Sequence, residues 1–159
     1  MPERAVILVC DDSEDDILLI RRAFEKALLT NPLFAVKSGD EAILYLMGEG
    51  KYSRRDEYPL PDLLLLDLKM PGKDGFDVLR WIRQQPGIKN LRVVVLTGSR
   101  DLGDVNQAYQ LGANSFMVKP SEFENYVELG KNLVTYWLRE SKAPEITRES
   151  ESKPDLTRR

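Results

Sequence analysis

The chain has 159 residues, 42% of them hydrophobic and 31% charged, which suits one soluble globular domain with a real core. Its net charge of −3 argues against a dedicated nucleic-acid binder, whose affinity rests on a basic surface. With no histidine and a single cysteine, Cys10, it excludes an internal disulfide, a thiolate or imidazole metal cluster and a Ser-His-Asp triad, leaving carboxylates and hydroxyls to carry any chemistry.

In chain order, "AVILVC" (Ala5–Cys10) is a continuous buried-strand pattern. "DDSEDDILLIRRAFEKALL" opens with acids and cap-type residues, then places Ile17, Ile20, Phe24, Ala27 and Leu28 at helical spacing. Leu33–Ser38 is a weaker strand, and "GDEAILYLMG" a short helix with Asp40 as N-cap and Gly48 near its end. The polar stretch 49–61 is long for a loop, with Arg54 and Arg55 read as solvated charge. "DLLLLD" is the third strand, "GFDVLRWIRQQ" the third helix and Leu91–Gly98 the fourth strand. "DLGDVNQAYQLGA" is a weak helix because of Gly103, "SFMVKP" the fifth strand and "SEFENYVELGKNLVTYWLRE" the fifth helix. Residues 140–159 are charged and poor in large apolar residues, so a disordered tail is expected there, behind one domain over 1–139. No apolar run approaches the roughly 18 residues of a membrane span, and the apolar start is too short for a signal peptide. A cytoplasmic location is expected, with neither membrane nor nucleic acid as partner.

Apolar strands alternating with helices point to a parallel sheet covered on both faces, a doubly wound α/β sandwich. Its functional crevice lies beyond the carboxyl ends of the strands. The polar residues of interest fall there: Asp11 and Asp12 after the first strand, Asp67 after the third, Thr97 at the end of the fourth, Lys119 and Pro120 at the end of the fifth. Three converging carboxylates repel one another and call for a counter-ion. With only oxygen donors available, Mg²⁺ is the natural choice, and Mg²⁺ readily shares its shell with a phosphate oxygen. Lys119 adds a fixed cation, and Asp67, between the acid pair and the hydroxyl and lysine, suits the role of a carboxylate nucleophile for phosphoryl transfer.

These motifs resemble those of the response-regulator receiver domains of two-component signalling. The resemblance rests on Asp11-Asp12, Asp67 with "LKMPGKDG", Thr97 after "VVVL" and Lys119-Pro120 after "SFMV", in order and at matching spacing, over about residues 4–139. It implies a (βα)5 flavodoxin-like sandwich with strand order 2-1-3-4-5. It also implies that Asp67 accepts a phosphoryl group from a sensor histidine kinase, with self-phosphorylation and slow self-dephosphorylation as the only enzymatic activity. Metal ligation is implied for Asp12 and Asp67 directly, for Asp11 through water and for the Lys69 carbonyl. Thr97 and Lys119 are implied to stabilise the phosphate, Thr97 and Phe116 to form the switch, and Lys119–Pro120 to be a cis peptide. The long 49–61 stretch and long fifth helix look most like the stand-alone regulators that serve phytochrome kinases. Phe116 differs from a tyrosine at the switch position by lacking a hydroxyl, and Lys69 places a long cation beside the phosphate.

Apolar residues on the fifth helix, from Phe123, Tyr126 and Val127 to Leu133, Val134, Tyr136 and Trp137, exceed what one packed face needs. A homodimer through the fourth helix, fifth strand and fifth helix is therefore expected. Two other readings compete. A phosphate-independent scaffold would not need the intact acidic and hydroxyl set. A phosphatase of the haloacid-dehalogenase type would need a second acid two residues after its nucleophile, where Lys69 stands.

Overall fold

The structure, a computed structural model, describes residues 5–140. Strands β1 (Ile7–Cys10), β2 (Leu33–Val36), β3 (Leu63–Leu66), β4 (Arg92–Thr97) and β5 (Ser115–Val118) pair in parallel in the order β2-β1-β3-β4-β5. Helices α1 (Glu14–Lys26), α2 (Gly39–Met47), α3 (Gly75–Arg83) and α4 (Leu102–Gln110) connect them, and α5 (Phe123–Asn132) follows β5. This is the expected doubly wound sandwich with the expected strand order.

The run of four leucines explains itself in this setting. Leu64 and Leu66 enter the core beneath α2, α3 and α4, while Leu63 and Leu65 enter the other core beneath α1 and α5. A strand covered on both faces needs no polar alternation. Each fully buried leucine contributes roughly 1.5–3 kcal/mol by leaving water. The same alternation places Leu8 and Cys10 on the first side and Ile7 and Val9 on the second.

Several local expectations change. Helix α1 stops at Lys26, and Leu28 adopts a left-handed φ of 60° and stands 86% exposed, so it leaves the apolar face while Leu29 packs in its place. The N-cap of α2 is Ser38, not Asp40: Ser38 is extended and its hydroxyl accepts from the Glu41 N–H at 3.1 Å. Asp40 pairs instead with Lys73 at 3.2 Å. The fifth helix is not uniform; after Asn132 it continues in wider π-type turns over Leu133–Glu140.

The 49–61 segment is packed rather than loose. It carries a 3-10 turn at Gly50–Ser53, and Tyr52 and Tyr58 stack edge-on at 5.0 Å, joining Tyr45 and Phe34 in one aromatic cluster. Tyr52 donates its hydroxyl to Glu41 at 2.6 Å. Arg55 is no solvated charge: it donates to the Tyr45, Leu46 and Tyr58 carbonyls at 2.8, 2.9 and 3.1 Å, satisfying the end of α2. Gly48, left-handed at φ 71°, is needed there, because a Cβ would lie 2.9 Å from the Arg55 guanidinium. The tail expected beyond Glu140 lies outside the described residues.

Candidate functional site

Parallel strands end on one edge of the sheet, so the residues that follow them meet. Cys10 pairs with Leu66, which sets Asp11 beside Asp67, and the Asp67 N–H donates to the Cys10 carbonyl at 3.0 Å. Thr97 pairs with Val118, and the Lys119 N–H donates to the Thr97 carbonyl at 2.8 Å. Asp11 and Asp67 are buried; Asp12 is exposed. Each of the three offers a carboxylate oxygen, and these oxygens lie within 4.8 Å of one another. So the acid that ends the leucine run does meet a cation. The Lys119 ammonium lies 2.8 Å from Asp11, 2.7 Å from Asp16 and 3.2 Å from Asp67.

The charges shape one another. Burial raises the Asp11 carboxyl above its ordinary range, and bonds from Lys119 and from the Ser13 N–H only partly oppose it. Burial acts to lower Lys119, but its bonds to Asp11 and Asp16 prevail and hold it firmly protonated. The Cys10 thiol beneath the site is pushed far up, first by burial and then by Asp11, which makes it an inert core residue. The donor set is all carboxylate, with one member open to solvent; that suits a hard divalent ion that keeps water and accepts a phosphate oxygen.

The turn after Asp67 is tight. A Cβ at Gly75 would sit 2.3 Å from the Asp67 carbonyl and 2.8 Å from the Leu68 Cα, so only glycine lets α3 start there. Asp74 and Asp77 form a reciprocal capping box at that start. Lys69 has its N–H 3.5 Å from Asp67, while its exposed ammonium pairs with Asp104 of α4 at 3.1 Å. Asp104 also accepts from the Ser99 hydroxyl at 2.6 Å, and Ser99 and then Lys69 hold its carboxyl below the usual range.

Thr97 is fully buried, its hydroxyl 3.5 Å from the Ser99 N–H. Phe116 stands apart from the carboxylates, half-buried in mid-strand opposite Val95, and its N–H donates to the Tyr109 hydroxyl at 3.1 Å. The Lys119–Pro120 bond, expected cis, is trans, as all described peptide bonds are. An X–Pro bond favours trans by about 0.5–1 kcal/mol, and Lys119 reaches its carboxylates from the trans bond. Three site neighbours escaped the sequence reading: Asp16, Ser99 and Asp104. Asp16 looked like one more acid in a helix start. The available signal was the excess of acids in "DDSEDD" over the one lysine expected to meet them.

The sequence matches the response regulator receiver domain over residues 7–129. It is 33% identical to the response regulator Rcp1 of Synechocystis, over 84% of this chain and 88% of that protein. The fold is similar to the phosphorylated cyanobacterial phytochrome response regulator RcpA, with a TM-score of 0.78 and 33% identity over 86% of this chain and 96% of that one. It is also similar to the Mn²⁺-bound form of Rcp1, with a TM-score of 0.74 and 32% identity over 85% and 95%. Among the described residues, no helix is long and apolar enough to cross a membrane.

Proposed function

Because the chain belongs to the response regulator receiver family, we propose that it takes a phosphoryl group from a sensor histidine kinase on Asp67 and passes the signal on by a change of shape or a further phosphotransfer. One observation carries this reading: three carboxylates gathered within 4.8 Å, with the half-buried Lys119 ammonium 3.2 Å from Asp67. That arrangement has little use as packing. Burying several acids costs several kcal/mol unless a cation offsets it, and one lysine leaves the site net negative.

In the proposed step a carboxylate oxygen of Asp67 attacks the phosphorus of the donor. The bond from phosphorus to the donor's imidazole nitrogen breaks, and that nitrogen keeps the electron pair. Asp67 becomes an acyl phosphate. Lys119 donates a hydrogen bond to the new phosphoryl oxygens, and Thr97 offers its hydroxyl from the next strand. Asp12, Asp67, the Lys69 carbonyl and, through water, Asp11 would hold Mg²⁺, which neutralises charge on the transferring group. The likeness to a Mn²⁺-bound relative and the all-oxygen donor set support a divalent ion here.

The finer assignments belong to the same reading. The kinase is of the phytochrome type, by analogy with Rcp1 and RcpA. Thr97 and Phe116 form the switch, and the α4–β5–α5 face is where copies of the chain associate. The support for that face is narrower than the sequence suggested. Tyr126, Val127, Leu133 and Val134 are buried in the core, which leaves Leu102, Tyr109 and Tyr136 exposed.

Acetyl phosphate and a chelator test the reading. Phosphate incorporation is expected with Mg²⁺, not with EDTA, and not in Asp67→Asn, whose melting curve should stay cooperative. Comparable incorporation in Asp67→Asn overturns the assignment.

A further inference from the structure

The Lys119 ammonium has three protons and three carboxylate partners. Two of those partners, Asp11 and Asp67, belong to the cluster that can bind a divalent ion; the third, Asp16, does not. Asp16 makes the shortest contact, 2.7 Å, and Asp67 the longest, 3.2 Å. Asp16 stands in the first turn of α1, fixed by its own N–H donating to the Ser13 hydroxyl at 3.2 Å. Its neighbour on α5 is Tyr126, whose buried phenol is raised by burial first and by Asp16 next. The lysine is therefore held toward the α1 wall of the site by a charge that a metal ion would leave in place.

We propose that Asp16 is the resting partner of Lys119, a positioning residue that sets how readily this lysine is released to an incoming phosphoryl group; the inference rests on Asp67 being the phosphoacceptor. The ammonium donates hydrogen bonds to Asp16 and Asp67 and is ion-paired with Asp11, so a phosphoryl group must compete with these carboxylates for it. Asp11 and Asp67 loosen their hold when their charge is shared with a metal ion. Asp16 has no such alternative and keeps competing. It also adds a negative charge that repels an anionic phosphoryl donor. Asp16 thus slows phosphorylation, and the chain trades rate for a low resting level of the phosphorylated form.

The test compares phosphorylation by acetyl phosphate at saturating Mg²⁺ in four proteins. Asp16→Asn removes the charge and weakens the hold on Lys119; its initial rate is expected to rise roughly tenfold, the effect of one charge at contact distance under water-like screening. Asp15→Asn removes the same charge next door, outside the contacts of Lys119, and is expected to change the rate less than about twofold, as an exposed charge screened by salt. Asp16→Glu keeps the charge and can still reach the lysine, so it is expected to stay near the wild-type rate. A purely structural role for Asp16 moves the melting temperature but not this ordering of rates. An Asp16→Asn rate no higher than that of Asp15→Asn, or below wild type, overturns the inference alone. Absence of phosphorylation in the wild type overturns the functional reading, and this inference with it.

Discussion

A buried acid normally declares its cost through its protonation, and Asp11 does so here. Its carboxyl titrates above the unfolded value because burial outweighs the bonds from Lys119 and Ser13. Between the unfolded and folded values the native state binds more protons, so stability falls as pH rises through that window. Above it the full cost of the charge is present. In metal-free protein, Asp11→Asn is expected to raise the melting temperature at pH 7, with the gain shrinking as pH drops through the carboxylate range. A gain independent of pH, or a loss at pH 7, counts against burial as the dominant cause. Adding Mg²⁺ is expected to stabilise the wild type more than the variant, since the variant has lost a charge that the ion would offset.

At the scale of elements, two loop features hold the frame around the site. Arg55 ties the end of α2 to the 49–61 segment through the Tyr45, Leu46 and Tyr58 carbonyls. Arg55→Ala should cost about 2 kcal/mol, the scale of lost charged hydrogen bonds and stranded carbonyls. Chemical denaturation checks this, and an unchanged midpoint would show the loop to be dispensable. Leu28 is the opposite case: its left-handed backbone costs a side-chain-bearing residue roughly 1 kcal/mol, and its apolar side chain gains nothing from exposure. Leu28→Gly is therefore expected to raise the melting temperature by about 2–4 °C. Neither feature could be read from the sequence. Arg55 lies in a polar stretch with no periodic pattern, and α1 ends at Lys26 with a left-handed Leu28 and backbone bonds from Leu28 to Glu25 and from Leu29 to Phe24, where the sequence offers no glycine or proline to mark it. The strands were legible because parallel strands buried on both faces carry unbroken apolar runs. Asp67, Asp12 and Lys119 were legible because the chain places them where such runs end. Asp16 and Asp104 were not, since contacts between α1 and β5, or between the β3–α3 turn and α4, bring together residues far apart in the chain.

The whole molecule joins a charged site at one end of the sheet to a half-buried aromatic on its edge strand. Thr97 ends β4, and Phe116 lies alongside on β5, its N–H tied to Tyr109 of α4. In the proposed switch, a phosphoryl group would draw the Thr97 hydroxyl toward itself and leave room for Phe116 to bury further. Full burial of an aromatic ring is worth roughly 1.5–3 kcal/mol and a half-covered ring gains less, a scale suited to a two-state switch. Beryllofluoride with Mg²⁺ is expected to strengthen self-association in sedimentation, and Thr97→Ala to blunt that response. Identical association states with the ligand bound would exclude phosphate-controlled self-association. All of this depends on where the phosphoryl group sits. Borohydride reduces an acyl phosphate of aspartate to homoserine, so treating the phosphorylated protein and mapping its peptides locates the acceptor directly. Homoserine at position 67 alone is the expected result; homoserine at 11, 12 or 16, or none in a protein that has incorporated phosphate, would contradict the account.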